Sequence, residues 1–245
     1  MEKLDRIKII KAYTVLHTIN DPYPQFKIEA EIVDYAKWLN GIISKRTLKS
    51  IEKEKGEQDL IGQELFNGFL LQFKIPNVYA NPLYEDFKRM RQIDDKHFDF
   101  IVPHMPRGKQ VINVKTTPER QRCVRFMANV ESWKNEIHDI AVAIKIDSLN
   151  ESKAHIAGWL DAKTVESLPV DDFGTGYAYW TYLDPRLVNE NRESEIPKYA
   201  SHKLKPLNDC RQLVTLLLTC GLDFSVNPAH RDETENVQAF RIMMT

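Results

Sequence analysis

Apolar positions recur at helical spacing early in the chain. Between Phe26 and Asn40, the residues Ile28, Ile32, Ala36 and Leu39 fall at intervals near 3.6, and Lys27, Glu29, Glu31, Asp34 and Lys37 occupy the other face. This pattern predicts an amphipathic helix. The run SKRTLKSIEKEKGEQ has only Leu48 and Ile51 as strong apolar positions and ends near Gly56, which predicts a second, mostly solvated helix. From Asp59, DLIGQELFNGFLLQF is apolar around most of its circumference, as a largely buried helix would be. Glu64 stands in it among Leu60, Ile61, Leu65 and Phe66. Its carboxylate either points into a shared site or sits solvated at the boundary of the core. Pro76 and Pro82 then mark a turn-rich stretch.

The period changes from Asp94 to Thr117, DDKHFDFIVPHMPRGKQVINVKTT. Phe98 to Val102 has strand composition, Pro103, Pro106 and Gly108 make a connection, and Gln110 to Thr116 is a second strand, so a hairpin is expected. Alternation sets Ile112, Val114 and Thr116 on one face and Asn113, Lys115 and Thr117 on the other. Asp99 joins Asn113 and Lys115 if the two strands pair in suitable register. A short helix through Ser132 to Glu136 precedes Ile140 to Ile146, IAVAIKI, whose apolar continuity predicts a central strand covered on both faces. HIAGWL, His155 to Leu160, predicts another strand, and Asp161 to Val165 a polar connection or short helix. Beyond Pro169, DDFGTGYAYWTYLDPRLV shows no assignable period, NENRESE reads as a solvated loop, and Cys210 to Thr219 predicts a helix. Strands interleaved with helices imply a mixed α/β sheet.

Composition narrows the class without choosing a function. The 245 residues suffice for one domain, read as a helical extension over residues 1–58 packed on an α/β core over 59–245. Hydrophobic residues make up 42% and charged residues 28%, and the formal charge is −1, so the chain is no basic nucleic-acid coat and any attraction to phosphate must be local. Such a place exists. Between Glu85 and Arg125, ten basic residues face six acids, an excess of +4 that leaves −5 to the remainder. Cys123, Cys210 and Cys220 are odd in number and lack metal-ligand spacing, so neither a disulfide framework nor a zinc site is expected, and a reducing compartment fits. No signal-peptide core or membrane-spanning length appears, and an intracellular, soluble protein is expected.

The order of Glu64 on a helix, Asp99 in FDFIV on the first hairpin strand and Asn113-Val114-Lys115-Thr116-Thr117 on the next resembles the PD-(D/E)XK nuclease family. Gly158-Trp159 is similar to a pair found late in some viral and restriction-type members, and the likeness spans roughly Asp59 to Leu160. It implies a restriction-endonuclease-like mixed β-sheet flanked by helices, with a helical N-terminal region. It also implies hydrolysis of DNA phosphodiester bonds, as an endonuclease or exonuclease, with Mg²⁺ or alternatively Mn²⁺ as cofactor. By that likeness Asp99, Asn113 and Lys115 are the catalytic positions, and Glu64, Asp99 and Asn113 the metal contacts. Oxygen ligands suit such a hard cation. Arg107, Lys109, Arg120, Arg122 and Arg125 would hold nucleic acid, with DNA expected ahead of RNA, no membrane partner, and a homodimer left open. The expected setting is a bacterial cytoplasm or a virus-infected host cell.

This chain departs from the family's pattern at Asn113, where an acid ordinarily stands. An amide oxygen contacts a metal without bringing charge. Three readings therefore stay open: a nuclease, a nuclease fold that binds nucleic acid without cutting, and a structural or interaction protein. Taken singly, Asp99 reads as a strand-edge charge, Lys115 as a snorkelling side chain and Asn113 as a turn or strand contact. His97, His104 and His138 lie close to the motif strands but in no arrangement that requires catalysis. The aromatics Tyr177, Tyr179, Trp180 and Tyr182 suit packing before base stacking. No Walker loop, dinucleotide fingerprint or serine-hydrolase elbow offers another enzyme class.

Overall fold

The β-branched runs in the middle of the chain pair into one mixed sheet. In the computed structural model the described residues are 22–46, 56–80, 98–104, 108–119, 125–127, 139–167, 171–172, 178–183 and 205–219. Their elements, in chain order, are β1 (Gln25–Lys27), α1 (Ala30–Arg46), α2 (Glu57–Gln72), β2 (Val78–Tyr79), β3 (Phe100–His104), β4 (Gly108–Thr117), β5 (Arg125–Met127), β6 (Ile140–Ser148), β7 (Lys153–Asp161), α3 (Ala162–Glu166), β8 (Asp171–Asp172), β9 (Ala178–Leu183), β10 (Lys205–Pro206) and α4 (Cys210–Thr219). A six-stranded sheet runs β1-β7-β6-β4-β3-β2. Its pairs are antiparallel except β4 with β6, which lie parallel. A second sheet has the order β10-β9-β5, with β8 also on β9. The fold is therefore α/β with a mixed sheet and flanking helices.

Three expectations need correction. The helix expected from Phe26 begins at Ala30, because Gln25–Lys27 is a strand on the edge of β7. Pro22 and Pro24 bias the chain away from helix, and Phe26 is buried between exposed neighbours, a period of two. The helix then continues through Arg46, taking in the start of the charged run whose remainder, 47–55, lies outside the described residues. Pro103 and Gly108, expected in the connection, stand within β3 and at the start of β4, with Pro103 opposite Lys109 next to the turn. The unassigned aromatic stretch contains β9, and its Tyr179, Trp180 and Tyr182 lie in a strand. The expected helix at 132–136 and the loop at 189–195 fall outside the described residues.

Burial outweighs local preference in α2. Its N-cap, Gly56, offers no side-chain hydrogen bond, a deficit of roughly a few tenths of a kcal/mol beside a Ser or Asp cap. Against that, Leu60, Ile61, Leu65, Phe66, Phe69 and Leu70 are each 1% exposed or less. Each contributes roughly 1.5–3 kcal/mol on leaving water. These side chains share one buried cluster with Ile32, Tyr35 and Leu39 of α1, Ile112 and Val114 of β4, and Val142, Ile144 and Ile146 of β6. At its C-terminal end α2 closes through Lys74 N–H to Leu71 O at 3.0 Å and Ile75 N–H to Leu70 O at 2.8 Å, with Lys74 left-handed at φ 54.

Close approach fixes which face of the sheet carries what. A Cβ placed on Gly62 of α2 would stand 2.0 Å from Thr116 Oγ1, so α2 lies directly on β4. Thr116, with the buried Val114 and Ile112, thus faces the helix, and alternation turns Asn113 and Lys115 to the other face. There Val111 packs with Ala80 and Phe98, and Ile101 joins them. In the parallel register Asn113 lies beside Ala141 and Lys115 beside Ala143 of β6.

Candidate active site

Asp99 sits one residue before β3, where β2, β4 and α2 meet. Its backbone carbonyl accepts from Ala80 N–H at 3.0 Å. With β3 starting at Phe100, no strand backbone continues opposite the N–H of Val114, and Asp99 Oδ2 accepts it at 2.8 Å. Oδ1 accepts from Gln63 Nε2 of α2, also at 2.8 Å. Asp99 is 5% exposed, so these donors replace the water that a buried carboxylate would otherwise need.

Extending the register of Phe100 with Ile112 places Asp99 across from Asn113. Asn113 is buried, and its Oδ1 has no hydrogen-bond donor. Lys115 stands two residues on, on the same face and half-buried. The hairpin thus brings Asp99, Asn113 and Lys115 to one end of the sheet. Glu64 is buried on α2 next to Gln63, and Tyr79 OH donates to its Oε1 at 2.6 Å. That phenol stacks on Phe100 at a centroid separation of 4.5 Å, so β2 and β3 hold Glu64 in place from the helix side of the sheet.

Among the described residues, no group of three or more His, Cys, Asp and Glu is placed to hold a metal ion. Two carboxylates and two amides are what α2 and the hairpin supply. Of the expected nucleic-acid contacts, Lys109 is exposed on β4 and Arg125 belongs to β5, while Arg107, Arg120 and Arg122 lie outside the described residues. His97, His138, Tyr177, Cys123 and Cys220 also lie outside them. Cys210 is a buried free thiol at the start of α4.

Several polar residues that bind this region together were not singled out by pattern. Gln63 and Tyr79 hold the two carboxylates. Asp139 clamps the starts of β4 and β6: its Oδ2 accepts Val111 N–H at 2.7 Å, and its own N–H donates to Val111 O at 3.0 Å. Buried Lys145 donates to the carbonyls of Pro118, Glu119 and Ile146 at 2.9, 3.3 and 2.7 Å, tying the chain after β4 to β6. His155 is fully buried on β7, with Nδ1 2.8 Å from Asp147 Oδ2. A polar residue inside an apolar run is the signal that could have found them, since burial obliges such a group to find a partner.

Gly158 has a packing explanation of its own. It lies at the bulge of β7 on β6 with φ +144, and a Cβ there would meet Asn208 O and Leu207 Cβ, both at 2.6 Å. That absent side chain admits the segment before α4, which bridges to Trp159 by paired backbone bonds of 3.0 Å, while Trp159 Nε1 donates to Asp209 O at 3.0 Å. An open groove lined by Trp159, Asp209, Arg211, Gln212, Thr215 and Leu216 lies here and includes none of the candidate site residues. Its Asp209 carboxyl is held below the usual range, first by the Arg211 guanidinium at 2.6 Å, against burial, and further by the N–H groups of Gln212 and Arg211. At Asp161 burial pushes upward, but the hydroxyl and N–H of Thr164, with the N–H groups of Asp161 and Lys163, together outweigh it and hold the carboxyl low, as the cap of α3.

Comparison of the chain with protein-family models, with curated proteins and with solved structures finds no match.

Proposed function

We propose that the chain is a metal-dependent nuclease that hydrolyses DNA phosphodiester bonds on a restriction-endonuclease-like fold. The observation that carries the reading is the buried Asp99 across the extended register from Asn113, whose oxygen has no donor, with Lys115 next on the face of Asn113. The element order supports it: an acidic helix α2, the antiparallel β2, β3 and β4, then β6 parallel to β4. This is the helix, hairpin and central-strand sequence on which the resemblance rests.

The residues present fit a hard divalent cation such as Mg²⁺ or Mn²⁺. Asp99 and Asn113 supply oxygen atoms, and Asn113 Oδ1 lacks any donor that would compete for it. When bound, such an ion supplies positive charge to a scissile phosphate and lowers the pKa of water. The protein's own residues set the rest. Asp99 is held by Gln63 and Val114, which fix the orientation of its carboxylate. The Lys115 ammonium, within reach of solvent, complements the charge that builds on a phosphate in the transition state. Glu64, anchored by Tyr79, adds negative potential from α2. DNA ahead of RNA, an intracellular setting in a bacterial or virus-infected cell, and self-association as a homodimer belong to the same reading. No described helix is long and apolar enough to cross a membrane.

A cleavage panel tests the proposal: linear, circular, branched and single-stranded DNA, with RNA alongside, in Mg²⁺ or Mn²⁺. Cutting is expected, with loss in both Asp99→Ala and Lys115→Ala. Absence of cutting across all substrates and both metals would overturn it. A second reading has its own observation in favour: both Asp99 oxygens already accept hydrogen bonds within the protein. In that reading Asp99 is a structural staple and the fold binds nucleic acid without cutting. Retained DNA binding with no cleavage, unchanged when Asn113→Asp restores a carboxylate, would select it.

A further inference from the structure

A second amide next to Asp99 shares the peculiarity of Asn113. Gln63 is 2% exposed, and while its Nε2 donates to Asp99 Oδ1, its Oε1 has no hydrogen-bond donor. Asn113 Oδ1 is in the same condition, and the residue after it holds the other oxygen of the same carboxylate. Buried side-chain oxygens are satisfied in the great majority of cases, so two orphans, one on the amide bonded to this carboxylate and one on the residue across from it in the extended register, call for an explanation. All three groups offer oxygen lone pairs, and what meets such a set without adding a donor is a cation.

We propose that Gln63, through Oε1, is a direct ligand of a divalent cation held with Asp99 from the helix side, Asn113 approaching the same ion from the opposite face where β3 begins, while Glu64 stays with Tyr79 outside the inner set. The inference rests on reading this corner as a cation site, and it replaces the helix carboxylate in that site by the neighbouring amide. In the ion-free protein the Gln63 amide group stands where the ion would, donating to Asp99. Turning the amide about its last bond exchanges Nε2 for Oε1 and converts a donor to the carboxylate into a ligand of the ion. The inner set then carries one formal negative charge. Affinity is accordingly low, with a Kd on the order of 10⁻³ M, the weak end that ligand charge sets for hard oxygen sites.

The test is a Mn²⁺ titration of the full chain followed by electron paramagnetic resonance, with cleavage read in parallel. Wild type is expected to bind one Mn²⁺ weakly and to lose it in Asp99→Asn. Gln63→Glu should tighten binding by about tenfold or more, because a carboxylate replaces a neutral oxygen. Gln63→Leu should weaken it by about 10- to 100-fold, the scale on which a metal site registers a lost contact. Thermal melts without Mn²⁺ establish that each variant is folded, and Gln63→Glu carries the test if Gln63→Leu is not. Unchanged binding in both Gln63 variants would overturn the proposal, as would no Asp99-dependent binding in either wild type or Gln63→Glu, which would mean that water satisfies the two oxygens. Cleavage separates this inference from the broader reading. Cutting that depends on Glu64 but not on Gln63 would sink the ligand assignment and leave the nuclease standing, whereas Gln63-dependent Mn²⁺ binding without cutting would do the reverse.

Discussion

Gly62 is the point at which α2 touches β4, and replacing it with alanine tests the contact that positions Gln63 and Glu64. The added Cβ would lie 2.0 Å from Thr116 Oγ1 and 3.0 Å from both Cβ and Cγ2 of the same residue. Rotating the threonine moves its hydroxyl and methyl away, but its Cβ stays at 3.0 Å, so the helix must withdraw from the strand. Overpacking of this kind costs about 1–3 kcal/mol. Alanine in place of glycine inside a helix returns roughly 0.8–1 kcal/mol. The net for Gly62→Ala lies between about zero and a loss of about 2 kcal/mol. Gly41 of α1 is the control, because a Cβ there meets nothing within 4 Å, and Gly41→Ala should stabilise by roughly 0.5–1 kcal/mol. Urea unfolding midpoints at constant slope measure both. Adding Thr116→Ala to Gly62→Ala removes two of the three close atoms but leaves Cβ, and should recover part of the loss as a coupling between neighbours. Equal stabilisation by the two glycine substitutions, or no coupling in the double variant, would show that α2 does not lie on Thr116 and would remove the basis for placing Gln63 at Asp99.

Other consequences follow from single positions. Gly158→Ala should destabilise by about 1–3 kcal/mol in the same assay, since φ +144 and two contacts at 2.6 Å act together. Lys74→Gly should stabilise by about 1 kcal/mol, because glycine takes the left-handed end of α2 without the penalty carried by lysine at φ 54. Asp209 caps α4 with a carboxyl held low, so the unfolded chain binds the proton more readily than the native one. The cap is at full strength above the usual aspartate value of about 3.9. It is lost as pH falls through the lower native value. Asp209→Ala should therefore cost about 0.5–2 kcal/mol at pH 7. In acid, unfolding curves of wild type and variant should converge; a difference that persists there would contradict this role for the carboxylate.

Long elements with a sustained period were legible. IAVAIKI reads as a strand covered on both faces and is β6 at the centre of the sheet, and the helix expected over Cys210–Thr219 is α4. The shared face of Asn113 and Lys115 follows from alternation alone, because a regular strand allows no other arrangement. Short elements escaped for the same reason: β1 and β2 have three and two residues, too few to show any period. Gln63 escaped because its role depends on a tertiary contact with a residue 36 positions later. Glu64 next to it attracted attention through its charge, which no local pattern could redirect to the neighbouring amide. The glycine at 158 shows a third limit, since its requirement comes from Leu207 and Asn208, a segment that meets it only in the folded chain.

The most direct measurement is the anomalous scattering of Mn²⁺ in crystals of the wild-type chain soaked well above the millimolar Kd expected. One peak within a coordination shell of Asp99 is predicted, with Asn113 Oδ1 and a turned Gln63 Oε1 as neighbours and Lys115 beside it. A map with no peak at Asp99 when the ion is saturating, or with its peak on another part of the sheet, would contradict the assignment of this corner.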